Sequence, residues 1–108
     1  MGLQDVELVV GRVTAPRDLE LIVGRVIDIH DHPGARAPSH LLMLDLGGRG
    51  QREASVPASG YERDELAGRQ VICALEHEEV RVLGAHSHAQ GFVLLRPDRD
   101  VEDGSAVA

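Results

Sequence analysis

The residues best suited to chemistry are two histidine pairs, a handful of arginines and a few hydroxyls. His30 and His32 bracket Asp31, and His86 and His88 bracket Ser87. In a strand, residues two apart point to the same side. Two such pairs meeting across a barrel mouth would offer four imidazole nitrogens and a carboxylate, a set adequate for zinc or nickel. No recognised ligand spacing joins them, so plain solvated histidines are the competing reading. A hydrolytic site would need Ser55 or Ser87 with a histidine and Asp31, yet neither serine sits in the glycine pattern of a nucleophile elbow. Cys73 lies inside the apolar run Val71–Leu75 and reads as an inert core residue. The chain therefore reads as a non-enzymatic binding protein with no cofactor.

What it binds is constrained by charge. The formal net charge of the 108 residues is −7, and all 11 cationic side chains are arginines. An acidic body repels phosphate at long range, so a nucleic-acid role needs a local basic patch. Tyr61 and Phe92 are the whole aromatic complement, too few for an extended base-stacking platform. A single cysteine excludes an internal disulfide and agrees with a reducing compartment. Gln4, Asp5 and Glu7 stand where a secretory signal needs basic and apolar residues, and no apolar run is long enough to span a bilayer. The expected address is the cytoplasm, with no membrane partner.

Short strands must position these groups. Leu19–Ile29 is rich in β-branched residues, with Leu19, Leu21 and Val23 alternating against Glu20, Ile22 and Gly24, and a change of phase after Gly24 that suggests a bulge or bend. His40–Leu46 is a second strand, and the glycine-rich turn 47–50 leads to a third over Gln51–Val56. Glu62–Ala67 is the best helix, acidic in its first turn and followed by Gly68. Val71–Leu75 and Phe92–Leu95 complete the set. Val23, Leu44, Val71, Leu75 and Leu94 are the expected core. An all-β domain of five strands with one short helix between the third and fourth is the order of the OB-fold barrel, with a generic five-stranded barrel or sandwich as the alternative.

The single domain would span 1–108, with 99–108 as a flexible tail of small and acidic residues. Residues 1–17 form an N-terminal extension or an extra strand. Within it, Glu7–Val13 is nearly repeated by Glu20–Val26, and the first copy pairs either beside the second or with another subunit.

The stretch Pro33–Gly47, reading PGARAPSHLLMLDLG, resembles the CsaA-type branch of the tRNA-binding OB-fold family. That family's first strand is matched by Leu21–Val26 and its post-strand serine by Ser55. Tyr61, the run Glu65–Val71, Gly84 and Ser87 match in order, so the resemblance covers about 18–98. It implies a homodimeric barrel that binds tRNA or other structured RNA by shape and backbone, or unfolded or exported client proteins in the chaperone branch. The implied binding surface includes Arg36, Ser55, Gly84 and Ser87, with Arg25 and Arg81 as neighbours. Two departures stand out. The acidic run Glu76-His77-Glu78-Glu79 falls where RNA binders tend to be basic, and Ala89-Gln90 reads as an insertion in the last loop.

Overall fold

The computed structural model describes residues 19–108 apart from Pro33, Ala35 and Ser59. The expectations for the repeat and the extension at 1–17 lie outside the described residues. Among the described residues seven strands form: β1 Leu19–Asp31, β2 Ser39–Asp45, β3 Gln51–Pro57, β4 Gln70–Glu76, β5 Glu79–Val82, β6 Gly84–Ser87 and β7 Gly91–Leu94. A single α-helical turn, α1 Arg63–Leu66, lies between β3 and β4. The first five strands make one antiparallel sheet in the order β3-β2-β1-β4-β5. Its edge strands β3 and β5 come together, giving the nearly closed OB-type barrel expected from the element order.

β1 holds the barrel together because it serves two partners in succession. Residues 19–25 pair with β4, and 25–31 pair with β2. The switch is made by a bulge that leaves Ile27 between the paired residues Val26 and Asp28. An extra residue bends a strand and reverses which face its side chains take, so the inward set runs Ile22, Val26, then Ile29. The bulge falls three residues beyond the expected position at Gly24. Gly24 instead permits close packing, since a Cβ there would lie 2.9 Å from Leu46 Cδ2 and 3.2 Å from Cys73 Sγ.

The core is aliphatic. Leu42, Leu44, Leu46, Val71 and Cys73 are fully buried, with Leu66 of α1 packed among them. All five expected core residues are buried, but Val23 stands outside the core cluster. Residues 104–107 run along its strand instead. Val23 N–H donates to Ser105 O at 2.9 Å, Gly104 N–H to Val23 O at 2.7 Å and Val107 N–H to Leu21 O at 2.9 Å. These bonds lie within the stretch 99–108 that was expected as a flexible tail. β2 reaches only as far as Arg25, which leaves one edge of residues 19–24 unpaired, and an unpaired edge carries backbone groups that need partners. The C-terminal segment supplies them.

Two strands escaped the sequence reading. β5 is the return arm of a hairpin whose two-residue turn is His77-Glu78, so the acidic run is that turn and its flanks. β6 pairs with β7 in a separate two-stranded sheet. The expected fifth strand at 92–95 is therefore β7, and the fifth strand of the barrel is β5.

Candidate nucleic-acid interface

On β3, Ser55 pairs with Leu41 of β2, which pairs in turn with His30 of β1. The hydroxyl of Ser55 lies 3.1 Å from His32 Nδ1, and His30 Nε2 lies 3.0 Å from the Asp28 carboxylate. Arg36 is exposed in the loop that follows His32. Ser39 anchors that loop by donating to Ala37 O at 3.0 Å, and Ala58 N–H closes it on Pro38 O at 3.0 Å. Ser55, the two histidines and the Arg36 loop thus share one end of the β1–β2–β3 face. Hydroxyl, imidazole and guanidinium are all groups that bond phosphate and ribose oxygens.

The remaining expected residues are placed differently. Arg25 is held inside the protein's own C-terminal segment. Its guanidinium donates to Asp103 at 3.0 Å, to Asp100 at 3.3 Å and to Gly68 O at 2.9 Å. Partial burial alone would make it a weaker base, but these carboxylates, Asp103 foremost, outweigh burial and push its pKa up. Gly84 is set by packing, since a Cβ there would come within 2.6 Å of the Phe92 ring. Ser87 Oγ accepts the Gln90 N–H at 3.0 Å and closes the β6–β7 turn that contains Ala89-Gln90.

Arg81 is exposed on β5, at the rim of an apolar recess of about 320 Å³ walled by Leu19, Leu21, Ala74 and Leu83. Glu76 and Glu79 share its rim. Of the six residues the resemblance brought forward, Arg36 and Ser55 are the two placed together on the β1–β3 end.

The histidine pairs do not converge. Among the described residues, no group of three or more histidine, cysteine or acidic side chains is arranged to hold a metal ion. His86 packs edge-on against Phe92, with ring centroids 5.6 Å apart. The Ser55–His32 contact has no carboxylate bonded to the far ring nitrogen among the described residues, so it lacks the third member of a hydrolytic triad.

Sequence reasoning passed over three exposed arginines, Arg69, Arg96 and Arg99, that border one recess beside the C-terminal segment. Nothing local marks them, because Arg69 and Arg96 are far apart in the chain.

No family model matches the chain. It is 32% identical over 74 residues to the methionine–tRNA ligase of Methanothrix thermoacetophila, a match that covers 61% of this chain and 11% of the ligase. Among solved structures, the CsaA chaperone of Bacillus anthracis superposes with a TM-score of 0.75 at 27% identity, covering 83% of this chain and 91% of that one. The CsaA chaperone protein of Picrophilus torridus gives 0.76 at 27% identity, over 85% and 94% of the two chains. A MetRS-related protein of Pyrococcus horikoshii shares the fold at a TM-score of 0.68 and 17% identity, over 83% and 90%. In sequence and in fold, the chain resembles the tRNA-binding OB-fold family and the CsaA chaperones.

Proposed function

We propose that this chain is a non-enzymatic cytoplasmic binding module whose ligand is tRNA or another structured RNA, held by backbone and shape. The observation that carries this reading is the sequence match to a tRNA ligase, over a barrel whose β1–β3 end presents Ser55, His30, His32 and the exposed Arg36. Backbone recognition needs few aromatic rings, which suits a chain with two. The test is a filter-binding titration of bulk tRNA across a salt series. Each neutralised phosphate adds about 0.7–0.9 to the slope of log affinity against log salt. The acidic chain should bind at micromolar strength or weaker, and Arg36→Glu should weaken binding and flatten the slope by about one. Absence of binding even at low salt refutes the reading.

A protein-binding role is the second reading, and the apolar recess bordered by Leu19, Leu21, Ala74 and Leu83 favours it. On this reading the module is a homodimer that takes unfolded or exported client proteins, for which a net charge of −7 is no handicap. No helix among the described residues is long and apolar enough to cross a membrane. Light scattering at micromolar concentration should give the mass of a dimer, and a monomer refutes the assembly.

A further inference from the structure

We propose that Arg69, Arg96 and Arg99 form a phosphate-binding patch that grips the RNA backbone, distinct from the Arg36–Ser55 end of the barrel. The proposal rests on the RNA reading above and says where much of its electrostatic contact is made.

The patch is assembled by one buried side chain. Gln70, 3% exposed at the start of β4, bonds both ends of its amide to the backbone of Val101. Its Nε2 donates to Val101 O at 2.6 Å, and its Oε1 accepts the Val101 N–H at 3.0 Å. This draws the segment after β7 across the entry to β4. Leu95 is fixed as well, its N–H bonded to Leu83 O at 3.2 Å and its carbonyl to the Ile72 N–H at 3.0 Å. Arg96 and Arg99 therefore leave the barrel beside Arg69, which directly precedes Gln70.

Among the described residues, four of the other six arginines are engaged by the protein itself. Arg25, Arg49 and Arg52 each pair with a carboxylate, and Arg63 donates to Ile29 O at 2.6 Å. Among the described residues, Arg69 and Arg96 make no ion pair. Arg99 has only a loose 3.7 Å contact with its neighbour Asp98, both side chains being almost wholly in solvent. Two guanidinium groups without an ion pair and a third only loosely held make a local positive field on an acidic protein, and guanidinium forks match phosphate oxygens.

The surface also has the shape for a backbone. Arg69 and Arg96 border two adjoining recesses of about 200 and 230 Å³. The first is lined by Tyr61, Glu65, Val93 and the two arginines over the buried Leu66 and Leu94. Carboxylates on the rims are largely directed elsewhere. Glu65 accepts the Glu62 N–H at 2.8 Å, and Asp100 pairs with Arg25 at 3.3 Å. Asp98 opposes the patch most directly, and the largely exposed Asp100, which shares Arg25 with Asp103, opposes it in part.

The test is bulk-tRNA filter binding from about 50 to about 200 mM salt with the full chain. The triple variant R69Q/R96Q/R99Q should lose at least tenfold in affinity at the low-salt end and about 2–3 from the salt slope, three phosphates at about 0.7–0.9 each. The corresponding triple lysine variant should keep most of the slope, and Asp98→Asn should raise affinity several-fold. All four side chains are exposed, so the melting temperatures should match the parent's. Should the glutamine variant fold poorly, Asp98→Asn carries the test, and an unchanged affinity there overturns the proposal. If the glutamine variant binds with parental slope while Arg36→Glu weakens binding, the patch is refuted and the RNA reading stands. If the parent protein binds no tRNA at low salt, both fall.

Discussion

Gln70→Leu tests how the C-terminal segment is fastened to the barrel. The wild-type amide makes three bonds: to Val101 O at 2.6 Å, from Val101 N–H at 3.0 Å, and to the Asp103 carboxylate at 2.8 Å. A neutral bond contributes about 1 kcal/mol net and one to a charged partner about 1.5–3 kcal/mol. The gross loss is therefore about 3.5–5 kcal/mol. Leucine recovers part of it by burying apolar surface in the same space, and the Val101 groups regain water at the protein's edge. A net cost of about 2–4 kcal/mol remains, and for a domain of this size each kcal/mol lowers Tm by about 4–8 °C. Urea titration and calorimetry should thus show a melting temperature roughly 10–25 °C below the parent's. Amide exchange should accelerate at Gly104 and Val107, whose N–H groups bond to Val23 and Leu21. Gln70→Glu adds a sharper comparison. It keeps the acceptor for Val101 N–H but sets a second carboxylate against Asp103, so its deficit should shrink as pH falls and protonation relieves the repulsion. A Tm for Gln70→Leu within about 4 °C of the parent, with Val107 exchange unchanged, would refute the strap.

Leu44 is fully buried in the core, and Leu44→Ala should cost about 2–4 kcal/mol through lost transfer energy and a residual cavity, read by urea denaturation. Burial pushes the Cys73 thiol from 9.0 up to about 12, with the Gly24 backbone opposing it weakly. The folded protein therefore keeps a proton that the unfolded chain sheds, and the thiol's contribution, complete below about pH 9, declines by about 1.4 kcal/mol per unit as pH rises towards about 12. Comparison with Cys73→Ala over that range should isolate the slope, and equal slopes in the two proteins would contradict it. The native thiol should also resist a thiol reagent at about pH 8 until the protein unfolds.

The barrel's frame was legible because β1 is rich in β-branched residues and β2 and β4 carry the apolar runs Leu41–Leu44 and Val71–Leu75. Leu66 at the end of a short acidic helix and Gly68 beyond it were legible for the same local reason, and Gly68 does take a positive φ of 76°. Elements made by pairing rather than by pattern were not. β5 is four residues, Glu79–Val82, of which Val82 alone is buried, and it is a strand because a two-residue turn folds it back on β4. Residues 104–107 read Gly-Ser-Ala-Val, too short and too weakly patterned to mark a strand. They pair because β1 has an edge that β2 is too short to cover. The site shows the same division. Ser55 and His32 are 23 residues apart, and their contact depends on the register between β2 and β3.

That division also explains why the net charge says little about the charge of any one part of the surface. A total of −7 describes the chain, but at physiological salt exposed charges are screened beyond about 8–10 Å, so a ligand senses neighbourhoods. The C-terminal carboxylates Asp100 and Asp103 are engaged by Arg25, an arginine the sequence offered for binding. The same segment carries Arg96 and Arg99 to the side of Arg69. One stretch of chain thus cancels positive charge on β1 and concentrates it at the entry to β4. Residue types alone show neither effect, since both are consequences of where Gln70 holds Val101.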